Sequence, residues 1–330
     1  MEQRRVLVTG GAGFIGSALV KALLERGDSV VVLDNLLTGV VANVPDEAEF
    51  VYGDVRDLAA VATVCEGVDT VFHQAAVDSV PRSIADPDGT QRTNVAGTLT
   101  VLQAALANGV RRVVYASSSS VYGESTAPAN REDGPANPAS PYGVSKLAAE
   151  HYCRVWARLK GLSTVSLRYF NVFGPGQSQR SRQAAVFPAF ATALLEYRPP
   201  EIHWDGQQSR DFTYVDDVVR ANLLAADAPD DLSGRVFNVG GGQPRTVYSV
   251  LSAISRVLDI WIEPRWLPRC AGDIRRSKAD VTSARTVLGW EPQVGWEQAV
   301  HTTTEWYAGR PRILPGEPSA RPRAGGTADE

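Results

Sequence analysis

Tyr142 and Lys146 stand four residues apart in PYGVSK (141–146), at the start of a stretch, Pro141 to Arg158, that reads as helix. Side chains at that spacing share one face. An ordinary tyrosine titrates near ~10 and is useless as a base at neutral pH. A neighbouring ammonium, or the positive ring of a cofactor, stabilises phenolate and lowers that value. Upstream, SSSSVYG (117–123) follows directly on the apolar run VVYA (113–116), so the serines are expected at a strand end rather than in a linker. A hydroxyl there can hydrogen-bond the same substrate oxygen on which a tyrosine acts. Together these residues outline proton transfer at a carbonyl or hydroxyl oxygen. A lone YxxxK arises often by chance, and this one gains weight from what stands near the N-terminus.

There, TGGAGFIG (9–16) follows an apolar strand and opens a helical segment. Gly10 permits a tight turn, Gly13 lets backbone approach a pyrophosphate, and Gly16 lets the helix pack close to the strand. The helix N-terminus then faces the anion. Asp34 closes the second strand, and an acid there can bind both hydroxyls of an adenosine ribose. It would repel a 2′-phosphate, so NAD is favoured over NADP. GDV (53–55) ends the third strand, where an adenine would lie, and the small residues of HQAA (73–76) allow backbone close to a dinucleotide.

These groups need a frame. RVLVT (5–9), SVVVL (29–33), FVY (50–52), TVFH (70–73), RVVYA (112–116), VSLRY (165–169) and RVFNV (235–239) are short β-branched runs. Helical patterns such as SALVKALLER (17–26), stopped by Gly27, alternate with the earlier ones. Near-continuous Val/Ile/Leu strands separated by helices predict a doubly wound α/β fold with a parallel sheet covered on both faces. After about Asn171 the rhythm breaks. Gln177 to Arg182 reads as a polar loop, Pro188 to Tyr197 as a helix stopped by Pro199 and Pro200, and Asp216 to Ala228 as another helix. The expected division is a dinucleotide-binding domain of residues 1–170 plus about 214–240. A smaller, interleaved substrate domain covers about 171–213 plus 241–312. The Pro- and Gly-rich segment 313–330 is expected to be a disordered tail.

Bulk properties exclude several classes. The net charge of −4 and the lack of a Lys/Arg block argue against nucleic acid. No apolar run approaches the ~20 residues of a spanning helix, and no signal-peptide core precedes Val6. Cys65, Cys153 and Cys270 are widely spaced, without metal-site spacing. No metal is expected, and idle thiols fit a reducing cytoplasm.

The ensemble resembles the extended short-chain dehydrogenase/reductase family, and within it the nucleotide-sugar 4-epimerases. The motifs that carry the likeness are TGGAGFIG, GDVRD (53–57), HQAA, SVPRSIADP (79–87), NVAGT (94–98), SSSSVYG, PYGVSK, LRYFNVFGP (167–175), SRDFTYVDD (209–217) and AGDIRRSKAD (271–280), over about residues 4–312. The resemblance implies Ser118, Tyr142 and Lys146 as catalytic, with Lys146 also on the nicotinamide ribose. It implies NAD contacts from Gly10, Gly13, Phe14, Ile15, Gly16, Asp34, Asn35, Asp54, Val55, Gln74, Ala75, Ala76, Asn94, Tyr142, Lys146 and Tyr169. Substrate contacts are implied for Ser79, Ser118, Ser119, Tyr142, Asn171, Val186, Arg210, Asp273 and Ser277. A UDP-sugar is the implied substrate and a homodimer the implied assembly, through helices near Thr93–Asn108 and Tyr142–Leu159. Dehydratases of the family carry Asp-Glu where Ser119 and Ser120 stand, so an epimerase is favoured. Small Ser277, where glucose-restricted relatives have Tyr, implies room for a 2-acetamido group. The alternatives are a family member acting on another nucleotide sugar such as UDP-glucuronate, a reductase, or a non-catalytic NAD-binding protein.

Three positions depart from the family pattern. Cys270 stands where a phosphate-binding arginine is usual, with Arg269 one residue earlier. Trp204 replaces a glycine, and Asp78 replaces Lys or Gly.

Overall fold

A computed structural model describes residues 3–178, 185–269 and 273–310. Cys270 and the expected tail lie outside the described residues. The frame is a seven-stranded sheet. Its strands are β1 (Arg5–Thr9), β2 (Ser29–Asp34), β3 (Glu49–Tyr52), β4 (Thr70–His73), β5 (Arg112–Ser118), β6 (Ser163–Tyr169) and a seventh, Arg235–Val239. The spatial order is seventh–β6–β5–β4–β1–β2–β3, and every neighbouring pair is parallel. The strand order reverses direction beside β1. This doubly wound arrangement places a ligand crevice at the carboxyl ends of β1 and β4.

Both sheet faces are buried, which explains the unbroken Val/Leu runs. One face carries Val6, Val8, Leu19, Phe72 and Val114, and the other carries Leu7, Val31, Val71, Val113 and Tyr115. A separate apolar cluster of Phe173, Phe187, Phe212, Tyr214 and Leu251 organises later parts of the chain. It draws on the helices Val186–Leu195, Val247–Leu258 and Trp296–Ala308.

Two boundaries differ instructively from expectation. β5 does not stop at Ala116: Ser117 and Ser118 continue it, opposite Arg168 and Tyr169 of β6. Only then does Ser119–Val121 turn into a 3-10 helix. The helix expected from Pro188 to Tyr197 runs instead from Val186 to Leu195. Pro188 sits in its first turn, where proline is tolerated, and Tyr197 adopts φ 53, which breaks the helix.

Candidate active site

The glycine loop joins β1 to the helix Phe14–Glu25. Gly10 has φ 72, and a β-carbon on it would lie 2.7 Å from the Ala75 amide nitrogen. A β-carbon on Gly16 would sit 2.1 Å from the Gly10 carbonyl oxygen. Neither position admits a side chain, because the obstacles are backbone. At Gly13 a β-carbon would meet only the Gly10 oxygen, at 3.2 Å. That leaves a bare backbone rim above a helix end that no side chain caps. Such a cradle fits a pyrophosphate. Asp34 is placed by its own backbone partners: it accepts from the amides of Ala12 (3.0 Å) and Leu36 (2.8 Å).

A cleft opens from this rim. It brings together Gly10, Gly13, Phe14, Ile15, Gly16, Asp34, Asn35, Val55, Gln74, Ala75, Ala76, Tyr142, Lys146 and Tyr169 from the expected cofactor set. Asp54 lies outside its walls, held by Arg56 (2.7 Å) and Asn35 (2.8 Å), and those bonds pull its carboxyl down to about 2. Asn94 is also outside the cleft. It is buried, bonded to both polar atoms of the Val77 backbone and to Ser145, and so ties the segment after β4 to the helix Pro141–Lys160. Asp54 and Asn94 thus stand next to the cleft, with their side chains bonded as described.

Ser140 caps the helix Pro141–Lys160, accepting from the Gly143 amide at 3.1 Å, and this fixes where Tyr142 and Lys146 emerge. Lys146 donates to the Ala116 carbonyl at 2.9 Å and lies 5.9 Å from the Tyr142 ring centre and 5.3 Å from that of Tyr115. The Ser118 hydroxyl favours the Tyr142 phenolate, and its own oxygen accepts from the Ser120 amide at 3.1 Å. The three expected catalytic residues thus form one cluster. Burial, the largest cause, raises the Tyr142 phenol above its usual value, and Asp78 adds to this while Ser118 opposes it. The chain's own groups therefore do not deliver the lowered phenol; a positive ring beside it remains the group able to do so.

Burial likewise pushes Lys146 down to about 8, opposed by Asp78 and Cys153. Above that pH the ammonium loses its charge. We expect kcat/KM to fall as pH rises through about 8. Asp78→Asn removes a charge that supports the ammonium, so its alkaline limb should move to lower pH. A limb that stays put in a pH profile of this variant would show that Asp78 does not act on Lys146.

Sequence reasoning missed the residues that support this cluster. His73 is buried and bridges Thr9 (2.7 Å) and Thr98 (2.9 Å); burial holds it down to about 3, so it is a neutral strut. Asn222 bonds Gln74 (3.0 Å) and Tyr169 (2.8 Å) at the cleft floor. Glu150, one turn beyond Lys146, accepts from Ser117 and from Arg168. Of these, only Glu150 carried a signal, as an acid at helical spacing on the Tyr142–Lys146 face.

The expected substrate contacts fall in several places. Ser79 caps the helix Val80–Ala85, accepting from the Arg82 amide. Ser119 opens the 3-10 turn after β5. Asn171, at φ 28, is exposed two residues after β6. Val186 packs against the third apolar cluster. Arg210 pairs with Asp273. Ser277 is buried beside them, its amide bonded to the Ser209 carbonyl at 3.1 Å.

Fold and site together define an NAD-dependent enzyme of the extended short-chain dehydrogenase/reductase class. Residues 6–240 match the NAD dependent epimerase/dehydratase family, and the chain belongs to that family. Among curated relatives, a UDP-glucose 4-epimerase of Mycolicibacterium smegmatis is 41% identical over 310 residues, 92% of this chain and 98% of that protein. Among solved structures, the UDP-glucose 4-epimerase of Thermotoga maritima with UDP-glucose superposes with a TM-score of 0.89 at 37% identity, covering 92% of this chain and 98% of that one. A UDP-N-acetylglucosamine 4-epimerase of Methanobrevibacter ruminantium, in complex with UDP-N-acetylmuramic acid, gives 0.89 at 36% identity over 93% and 99%.

Proposed function

We propose that this enzyme interconverts C4 epimers of a UDP-sugar, with UDP-GlcNAc/UDP-GalNAc preferred and UDP-glucose/UDP-galactose also accepted. The observation that carries the reaction type is the Ser118–Tyr142–Lys146 cluster at the strand-order reversal, followed in the chain by Ser119 and Ser120. Elimination of water needs an acid and a base at those two positions, and hydroxyls supply neither. The names of the relatives support epimerisation of a UDP-sugar.

Tyr142, as phenolate, takes the proton of the C4 hydroxyl. Ser118 holds that oxygen as it becomes a carbonyl, and Lys146 is placed to hold the nicotinamide ribose. The glycine rim and Asp34 would hold NAD, which would supply the acceptor for the C4 hydride and the donor for its return. The 4-keto sugar turns about its diphosphate linkage and offers its other face. Tyr142 then gives back the proton, and the configuration is inverted with no net redox change. This requires a firm hold on the nucleotide and a loose one on the sugar. Arg210, a planar fork suited to a diphosphate, is the proposed anchor, with Asp273 as its partner.

The preference for acetylated sugars rests on Ser277, small and buried beside the Arg210 pair. NMR of products from a panel of UDP-sugars is expected to show interconversion of both pairs, with the higher kcat/KM for the acetylated one. Ser277→Tyr should abolish the acetylated activity selectively while leaving the glucose pair. A large preference of the native enzyme for UDP-glucose would overturn the sugar assignment. Stoichiometric consumption of NADH would identify a reductase instead.

A further inference from the structure

Trp204 adopts a backbone that glycine reaches far more readily than a bulky residue: φ is 62. A β-carbon in that left-handed region clashes with the following carbonyl, so a bulky residue persists there only where its surroundings hold it. Its surroundings are two guanidiniums. Arg269 lies 4.4 Å and Arg275 4.6 Å from the indole. Both belong to the segment that carries Asp273 and Ser277. Arg269 also donates to the Asp273 carbonyl at 2.6 Å. Arg275 grips both oxygens of Asp205, the residue after Trp204, at 2.8 Å each. The Trp204 amide donates to the Leu267 carbonyl at 2.8 Å, closing the loop from the other side. Residues 275–277 in turn lie along Ser209, whose amide donates to the Arg275 carbonyl at 3.0 Å. Arg210 follows directly and pairs with Asp273.

We propose that Trp204 is a positioning residue for nucleotide binding: its indole clasps Arg269 and Arg275, and so fixes the 273–277 segment against Arg210. Two departures from the family pattern thereby become one change. Arg269 is not a displaced phosphate arginine; its guanidinium is committed to Trp204 and the Asp273 backbone. The hold on the diphosphate then comes from Arg210, kept in register by the clasp. This rests on the reading of Arg210 and Asp273 as nucleotide contacts.

Titration of UDP into the NAD-loaded enzyme by calorimetry tests it. Trp204→Gly relieves the backbone and removes both cation–π contacts. It is expected to weaken UDP about five- to twentyfold, as two such contacts allow. KM should rise in step, with kcat and the thermal midpoint maintained, since the clasp touches no reacting atom. Trp204→Tyr, which keeps a flat ring, should retain most of the affinity. Adding Arg269→Ala to Trp204→Gly should cost less than the sum of the two single losses, because both weaken one unit. Unchanged UDP affinity in Trp204→Gly, additive losses in the double variant, or a fall in kcat equal to the rise in KM would each overturn the proposal. Arg210→Ala separates the two layers. If it leaves UDP affinity intact, the clamp reading itself fails. If it weakens UDP while Trp204→Gly does not, the clasp alone fails.

Discussion

Tyr142→Phe is expected to lower kcat by about two to four orders of magnitude, the range attributable to one positioned acid–base group. The variant removes a single oxygen from a half-buried ring at the cleft wall. Lys146 keeps its bond to the Ala116 carbonyl, and Ser118 keeps its bond from the Ser120 amide. NAD retention and UDP affinity should therefore match the native enzyme, and the loss should appear in kcat. Single-turnover conversion of UDP-GlcNAc, followed by NMR, reads the chemical step directly. Turnover within a few-fold of native would mean that the proton passes to another group, and the mechanism proposed above would be wrong.

The largest expected effect on stability comes from Glu150. Its carboxylate is fully buried and accepts from Arg168 Nη2 (2.6 Å), Arg168 Nε (2.9 Å) and the Ser117 hydroxyl (2.9 Å). The Arg168 guanidinium lies 4.7 Å from the Tyr122 ring centre and is 3% exposed, so no water reaches it to replace a lost partner. A buried pair adds little over an apolar one, but stripping one partner leaves a stranded charge that costs about 3–5 kcal/mol. Glu150→Ala should therefore destabilise the fold by about that amount, a large share of the ~5–15 kcal/mol that holds a typical domain together. Chemical denaturation checks this. A loss under about 1 kcal/mol would show that Arg168 is solvated or re-paired, against the geometry described. The double replacement Glu150→Leu with Arg168→Met should recover part of the loss, because it leaves no orphan.

How much of this was legible in the sequence depended on whether the determinant is local. The glycine loop was, because Gly10 and Gly16 answer to backbone a few residues or one strand away. So was the Tyr142–Lys146 face, since helical spacing fixes it. The seven strands followed from their Val-rich runs, but β5 was cut short at Ala116. Serine carries little strand preference, and only pairing with Arg168 and Tyr169 keeps Ser117 and Ser118 extended. Asn94 was legible as a motif residue, and only the fold reveals that its side chain bonds Val77 and Ser145. The Arg168–Glu150 pair and the Trp204 clasp were invisible because their partners are brought together by packing. No periodicity links residue 204 to residues 269 and 275.

The return of the chain to the sheet after Tyr169 has a consequence for synthesis. The seventh strand pairs with β6 along its full length, from Arg235 opposite Val165 to Val239 opposite Tyr169. Residues 170–234 are made in between. Until they have left the ribosome, β6 presents an unpaired edge of buried-type residues, the pattern that recruits other strands. A nascent chain halted in this interval carries an almost complete sheet with one open side. It is the natural client of a holdase, and fragments ending near residue 170 are expected to accumulate in inclusion bodies rather than as a free nucleotide-binding unit.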